Sequence, residues 1–383
     1  MLREVGPVLI AVGNSSTASN HEQRPTSPFP QATPSGLPST IEGLPATVEN
    51  DHTRGALLGT AVGDALGMPI EGLSHQNVRT YYKGIKEYRT DDQRGDLAAG
   101  QWTDDTQMTF AIARAMAQTD ALDDVPARAA EAYVQLLPEA RRWGPTTTAA
   151  VERLADGASW KTAGDADRPT DGAAMRAAPL GLWWAATDAS PKRALAALRP
   201  VLAVTHAHPA ALAAGLGQAF AVRCAAQAGG PEPFDDEAFW DELVRFTTWA
   251  EEQLTSSSGE NDAPGPDHTC SKRLRALGGM LHQGAMPLDL RDACDGAGAR
   301  ADEAWPLAVG MFARTPHLIE AALLSTVNVG GDADTTGAMT GALLGALHGW
   351  NAFPDAWKDG LEAREQLKTE ADALASRLKV EES

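Results

Sequence analysis

The sequence has few cysteines, few aromatic residues and too little positive charge to balance its acids. Its three cysteines form no CxxC pair, so neither a disulfide framework nor a cysteine-rich zinc site is expected. The formal net charge of −19 argues against a protein that coats nucleic acid. No apolar run approaches the roughly 20 residues of a membrane span, and the apolar patch at residues 6–13 lacks the basic start of a signal peptide. We therefore expect a cytoplasmic protein without membrane association.

The chain is rich instead in alanine, glycine and aliphatic residues at helical spacing. Residues 1–50 carry many Ser, Thr and Pro residues and almost no hydrophobic periodicity, which predicts a disordered extension. Residues 51–383 are expected to form one domain, and no run of alternating β-branched residues predicts a strand. The expected class is all-α. One helix is expected to begin near Arg54 and a second at Thr103. Further helices are expected at 127–137, 145–155, 172–187, 191–204, 209–228, 235–253, 270–282, 301–313, 316–327, 333–348 and 355–379.

Glycine recurs at every fourth position in the first helix, at residues 55, 59, 63 and 67. Each glycine costs about 1 kcal/mol relative to alanine inside a helix, so four of them on one face need a packing or ligand reason. Such a bare stripe predicts that another helix approaches this one very closely.

Two helix starts carry one hydroxyl and two carboxylates each. The first group is Thr103, Asp104 and Asp105, and the second is Asp332, Asp334 and Thr335, which follows a Gly-Gly pair. Threonine capping and acidic complements to the helix dipole are the alternative explanation for each group alone. A calcium loop of the EF-hand type is excluded for the second group, because Leu343 occupies the twelfth position where a Glu is needed. Because carboxylates without a basic neighbour repel, we predict that the groups converge on hard cations such as Mg²⁺ or Mn²⁺.

Four blocks run from about Arg54 to Trp350: GALLGTAVGDALGMPIEG, WTDDTQMT, DGAAMRAAPLG with THAHPAALAAG, and NVGGDADTTGAMTGALLGA. Together these blocks resemble the ADP-ribosylglycohydrolase family. The resemblance implies a compact bundle of orthogonal helices around a cleft with two Mg²⁺ or Mn²⁺ ions. It also implies hydrolysis of the glycosidic bond between ADP-ribose and an acceptor, with ADP-ribose as product. The expected substrate is an ADP-ribosylated protein, or a small-molecule or nucleic-acid conjugate.

The resemblance also assigns roles to individual positions. The metal ligands match Thr103, Asp104, Asp105, Asp332, Asp334 and Thr335. Catalytic roles are expected for Glu71, Asp104 and Asp334, with a surface carboxylate as the alternative for Glu71. Asp64 matches a position that supports the metal cluster. The block from Gly172 through Met175 to Arg176 matches a loop that binds the diphosphate. His206, in a His-x-His pair before Pro209, matches a residue that contacts the ligand.

One position departs from the family pattern, which has Asn-Gly where this chain has Asp171-Gly172. A carboxylate facing a diphosphate is unfavourable, so the diphosphate loop is the weakest part of the match. Trp102 and Trp143 are candidates for stacking on adenine. A catalytically silent ADP-ribose-binding relative and a two-metal nucleotide phosphohydrolase remain alternatives, although the latter has only Arg176 as an obvious phosphate donor. We expect a monomer.

Overall fold

The structure, a computed structural model, describes residues 48–256 and 269–381. Within these residues there are seventeen α-helices and no strand, only three isolated β-bridges, and the predicted all-α class is confirmed. The helices are α1 Asn50–Gly67, α2 His75–Asn77, α3 Asp104–Ala117, α4 Val125–Leu136, α5 Pro145–Ala155, α6 Gly172–Met175, α7 Ala178–Thr187, α8 Pro191–Ala203, α9 Pro209–Gln227, α10 Asp236–Ser256, α11 Cys270–His282, α12 Pro287–Ala293, α13 Ala301–Arg314, α14 Ile319–Asn328, α15 Ala333–His348, α16 Asp355–Gly360 and α17 Arg364–Glu381.

Shorter helical turns connect some of these elements. They are the 3-10 turns Met68–Ile70, Leu122–Asp124, Leu137–Glu139 and Trp350–Ala352, and the π turn Val78–Tyr82. The predicted N-terminal extension, residues 1–50, lies outside the described residues except for its last three positions, where α1 already begins.

The glycine stripe of α1 packs directly against α15. A methyl carbon on any of its four glycines would fall within 3 Å of α15 backbone atoms. The stripe on α15 is reciprocal, and the facing pairs are Gly55 with Gly345, Gly59 with Gly341, Gly63 with Gly337 and Gly67 with Ala333. Glycine permits two backbones to come this close because it has no Cβ, and this contact explains why α1 carries four glycines on one face. The predicted close approach is confirmed, and it brings the C-terminal part of α1 to the first turn of α15.

The centre of the fold is α9, a helix that is buried over its whole length. Its apolar residues face α7, α10, α13 and α15, as expected for a helix that is hydrophobic on all sides. One of its two buried side-chain amides, Gln218, donates to the Met339 carbonyl at 3.0 Å and accepts from Trp305 Nε1 at 3.1 Å. Because both ends of this amide are satisfied, it ties α9 to α15 and α13 without an unpaired polar group.

Two of the expected helices are interrupted in the structure, and several of the other helix ends differ from the prediction by one to three residues. The expected helix 172–187 is interrupted at Arg176 and Ala177, just before Pro179, which lies in the first turn of α7 and cannot donate to a preceding turn. The expected helix 355–379 is broken near Ala363, whose φ of 53° is left-handed. The available signal was Gly360, at which α16 ends, because glycine commonly terminates a helix. The short helix α12 was not predicted.

The cysteines agree with the composition-based expectation. Cys224, Cys270 and Cys294 are buried free thiols. Burial raises the pKa of Cys224 and of Cys294 to about 12, so both thiols stay protonated at neutral pH.

In the described part of the chain, no helix combines the length and the hydropathy that crossing a bilayer requires.

Candidate active site

The first residues of α3 and α15 lie side by side in the folded chain. Carboxylate oxygens of Asp64, Asp105 and Asp334 lie within 4.8 Å of one another, and all three residues are buried. The Thr335 hydroxyl donates to Asp105 Oδ2 at 3.4 Å, which links the two helix starts directly. The two acidic helix starts therefore meet, and Asp64 of α1 joins them; the cations on which we predict them to converge stay a prediction.

The Asp64 side chain of α1 forms hydrogen bonds with the start of α3. Its carboxylate accepts from the backbone N–H of Thr103 at 2.9 and 3.0 Å and from that of Thr106 at 3.1 Å. It also accepts from the Thr103 and Thr106 hydroxyls at 3.0 and 2.6 Å. Thr103 makes no side-chain cap to its own helix, so the capping alternative for this threonine is not observed. Instead, a carboxylate from another helix satisfies the free N–H groups at the start of α3. Asp64 thus holds the start of α3 in place, and its support of a metal cluster stays a prediction.

The carboxyl groups of the centre are buried and close to one another. Burial raises the pKa of Asp105 well above its ordinary value, and the carboxylates of Asp64 and Asp104 add to the effect. The pKa of Asp334 is raised in the same way, first by burial and then by Glu71. Burial likewise raises the pKa of Asp64 to about 6, although hydrogen bonds from threonines oppose the shift. Like charges at this spacing destabilise one another until a proton or a cation is bound.

Asp332 completes the second group. Its backbone N–H donates to the Ala297 carbonyl at 2.8 Å, just before α15 begins. Its side chain lies within hydrogen-bond reach of Asp334, Thr335 and Asp171. Of the six residues predicted to bind metal, Asp105 and Asp334 meet at one centre, and Thr103 and Thr335 donate to Asp105. The other two, Asp104 and Asp332, are near enough to raise the pKa of Asp105. The role of all six as ligands remains a prediction.

Glu71 lies at the edge of this centre, directly after the Met68–Ile70 turn. Its Oε2 accepts from Arg94 at 2.8 Å and from Arg142 at 3.3 Å. Its charge nevertheless reaches the centre, because it contributes to the raised pKa of Asp104 and Asp334. Glu71 is thus a partly exposed carboxylate paired with two arginines, and its catalytic role stays a prediction beside the alternative of a surface carboxylate.

Arg142 is the residue that the sequence-based prediction missed. It donates to the Met68 carbonyl at 3.0 Å and pairs with Asp91 and Asp96 as well as with Glu71. Its backbone has a left-handed φ of 57°, which these partners stabilise. The one available signal was an adjacent Arg141–Arg142 pair in a strongly acidic chain.

The diphosphate-loop block is adjacent to His206. A methyl carbon on Gly172 would lie 2.5 Å from His206 Cε1 and 2.6 Å from Nε2, so glycine is needed for the imidazole to fit. The ring Nδ1 lies 2.8 Å from Thr205 Oγ1. Burial, and secondarily Arg176, lowers the pKa of His206 well below its ordinary value, so the ring is neutral. Gly172 and His206, predicted separately to bind the ligand, are therefore in contact.

Arg176 and Met175 point into the fold. The Arg176 guanidinium is fully enclosed, donates to the Leu202 carbonyl at 3.1 Å and to Thr205 Oγ1 at 2.6 Å, and lies over the Tyr133 ring. Met175 is buried, and its carbonyl accepts from Thr109. The structure thus leaves the guanidinium no exposed surface for a ligand, and Arg176 positions the Thr205–His206 turn.

The two tryptophans proposed for adenine stacking have partners within the protein. Trp102 Nε1 donates to the Glu362 carbonyl at 3.3 Å, and the Arg141 guanidinium lies 4.4 Å from its ring centre. Trp143 Nε1 donates to Gln107 at 2.9 Å. Both rings are half-buried, and adenine stacking on either one remains a prediction.

The comparison with known proteins decides the family. A model of the ADP-ribosylglycohydrolase family matches residues 45–383. The chain belongs to the ADP-ribosylglycohydrolase family. The sequence-based resemblance is thereby confirmed, and the chain is identified as a glycohydrolase of this family.

Individual relatives are similar over nearly their whole length. An uncharacterised protein of Archaeoglobus fulgidus is 33% identical, over 84% of this chain and 95% of its own. The ADP-ribosyl-[dinitrogen reductase] glycohydrolase of Rhodospirillum rubrum is 29% identical, over 85% and 96%. The ADP-ribosylarginine hydrolase Tri1 of Serratia proteamaculans is 27% identical, over 86% and 81%. A solved structure of an ADP-ribosylglycohydrolase-related protein complex superposes with a TM-score of 0.62 at 29% identity, covering 86% of this chain and 98% of that one.

Proposed function

We propose that this chain hydrolyses the glycosidic bond between ADP-ribose and an acceptor in a centre that binds two Mg²⁺ or Mn²⁺ ions. The observation that carries the proposal is the meeting of Asp64, Asp105 and Asp334 within 4.8 Å at the junction of three helices. The proposed ligands are Thr103, Asp104, Asp105, Asp332, Asp334 and Thr335.

The donor atoms fit hard divalent cations. All of them are carboxylate or hydroxyl oxygens, the ligand type that Mg²⁺ and Mn²⁺ prefer. Asp105 Oδ1 is enclosed and has no hydrogen-bond partner in the protein, although most buried oxygens have one. A cation at this position would satisfy that oxygen and offset the repulsion among the carboxylates.

The chain's own residues support glycosidic chemistry. When bound, the ions would hold the ribose hydroxyls and acidify a nearby water. Cleavage develops positive charge at the anomeric carbon, which the surrounding carboxylates stabilise. Glu71, which pairs with Arg94 and Arg142 at the edge of the centre, is our candidate to take a proton from the attacking water or to give one to the leaving atom. His206 Nδ1 is engaged by Thr205, so we assign Nε2 to the ligand.

The substrate class follows from the relatives. The Rhodospirillum rubrum relative is named for ADP-ribosylated dinitrogen reductase and the Serratia proteamaculans relative for ADP-ribosylarginine. We therefore propose ADP-ribosylated protein as the substrate and ADP-ribose as the product. The nucleotide phosphohydrolase alternative loses the phosphate donor that the sequence offered for it, because Arg176 is enclosed. The two arginines at the edge of the centre, Arg94 and Arg142, are paired with carboxylates.

The test combines a substrate panel with two variants and one control. Purified protein is given ADP-ribose linked to arginine, to serine or to a nucleic-acid base, with Mn²⁺ or with EDTA. We expect at least one linkage to be cleaved, and EDTA to stop the reaction. Asp105→Asn and Asp334→Asn should each lower kcat by more than about 100-fold and weaken Mn²⁺ binding, because they remove charged oxygens from the centre.

The control variant is Asp167→Asn, which removes an exposed carboxylate away from the centre. It should bind Mn²⁺ and turn over substrate as the parent does, and circular dichroism should show parental helix content for all three variants. Parental turnover by Asp105→Asn or Asp334→Asn, or full activity in EDTA, would show that the proposed centre does not carry the reaction.

A further inference from the structure

Asp171 is a buried carboxylate beside the centre that the proposed ligand set does not include. The residue is only 6% exposed and directly precedes α6. Its backbone N–H donates to the Ala299 carbonyl at 3.2 Å, and Thr170 forms a bridge with Arg300. The same segment accepts the Asp332 backbone N–H through the Ala297 carbonyl at 2.8 Å. One strip of backbone thus holds Asp171 and Asp332 next to each other.

The two carboxyl side chains meet, and a hydrogen bond between them requires a proton on one of them. The Asp171 carboxyl lies within hydrogen-bond reach of that of Asp332. Its Oδ2 is enclosed and has no hydrogen-bond partner in the protein. Arg300, the basic residue on the adjoining segment, pairs with Asp302 and Glu303. An asparagine at this position could donate its amide to Asp332, whereas a carboxylate cannot.

A buried carboxylate oxygen that faces another carboxylate needs a positive partner. The proposed cations are the partner at hand, because Asp332 belongs to their ligand set and Asp105 is close enough to act on Asp171 electrostatically. A diphosphate would be a poor partner for the same oxygen, since both groups are anionic.

We propose that Asp171 is an additional ligand of the cation centre, which gives this chain one more carboxylate than an Asn at that position would provide. The inference rests on the proposed metal centre and concerns the affinity of that centre for its cations. An extra anionic oxygen binds the cation more tightly, and without the cation it adds one more repelling charge to the centre.

The decisive variant is Asp171→Asn, which keeps the shape of the side chain and removes its charge. Protein stripped of metal is titrated with Mn²⁺ by calorimetry, and its unfolding is followed in urea without metal. We expect Mn²⁺ affinity to fall by about 10- to 100-fold. We expect the metal-free variant to unfold at a higher urea concentration than the parent, because one repelling carboxylate is gone. Asp167→Asn, on the same loop but exposed, removes the same charge and should change neither quantity.

Parental Mn²⁺ affinity in Asp171→Asn would overturn the inference while leaving the proposed function intact, provided that Asp105→Asn binds Mn²⁺ weakly. No Mn²⁺ binding by the parent itself would overturn the proposed centre and this inference with it. If Asp171→Asn does not fold, Asp171→Ser gives the same comparison with a smaller neutral side chain, and parental affinity there also overturns the inference.

Discussion

The close contact between α1 and α15 predicts a large effect from a single added methyl group. In Gly341→Ala, the new Cβ would lie 2.8 Å from the Gly59 carbonyl carbon and closer still to its oxygen. Ordinary van der Waals contact begins near 3.4 Å, and the obstructing atoms are backbone, which cannot rotate away. The two helices must therefore part by on the order of 1 Å in a core that tolerates little extra volume.

Two opposing effects determine the size of the change. Alanine favours the helix by about 1 kcal/mol over glycine. Overpacking a rigid interior costs about 3 kcal/mol or more when backbone must move. We expect Gly341→Ala to lower the free energy of unfolding by about 2 kcal/mol or more. Because the same two helices position Asp64 and Asp334, it should also weaken Mn²⁺ binding.

The matched control is Gly279→Ala in α11. A methyl group there would meet no atom within 4 Å, and the backbone φ is not left-handed. Only the helix-propensity gain remains, so this variant should be more stable than the parent by about 0.5–1 kcal/mol. Urea unfolding followed by circular dichroism measures both variants. Equal stability of Gly341→Ala and Gly279→Ala would refute the argument that the two backbones are in direct contact.

Two further predictions concern the acidic centre. The pKa of Asp64 is raised to about 6, so the metal-free folded protein holds protons that the unfolded chain has already lost. This contribution lowers stability as the pH rises from ~4 through 6, and protons compete with cations over the same range. Thermal unfolding with Mn²⁺ and with EDTA should therefore show a Mn²⁺-induced rise in Tm that grows between pH ~5 and ~7.5, and a rise independent of pH would contradict this. Separately, Glu71→Gln should lower kcat by ~100-fold or more and leave Mn²⁺ affinity at the parental value, and collapse of that affinity would instead make Glu71 a ligand.

Features that depend on local spacing could be predicted from the sequence. The glycines of α1 recur every fourth residue, and a stripe of that kind has few explanations other than a close neighbour. Two helix starts whose carboxylates have no basic neighbour similarly predict a shared site for positive charge. In both cases the residue types and their period restrict the possible environments, so the prediction did not need the fold.

Other features depend on residues that meet only in three dimensions. The same arginine chemistry leads to an enclosed Arg176 under the Thr205–His206 turn and to Arg142 clamping Glu71 near the surface. Sequence cannot distinguish these outcomes, because burial of a guanidinium is decided by the elements that surround it. The left-handed φ of Ala363 was equally unpredictable, since alanine is a good helix former, although Gly360 signals that a helix can end just before it.

The sequence by itself determined the helical class, the bare face of α1 and the oxygen-rich chemistry of the two helix starts, because side-chain type and spacing are local properties. Only the tertiary structure decided which carboxylates share a centre. Asp64 caps a helix to which it does not belong, and Asp171 meets Asp332 across a strip of backbone from a third segment. These contacts arise because the chain is packed densely enough to bring distant charges together, and such proximity leaves no trace in the order of the residues.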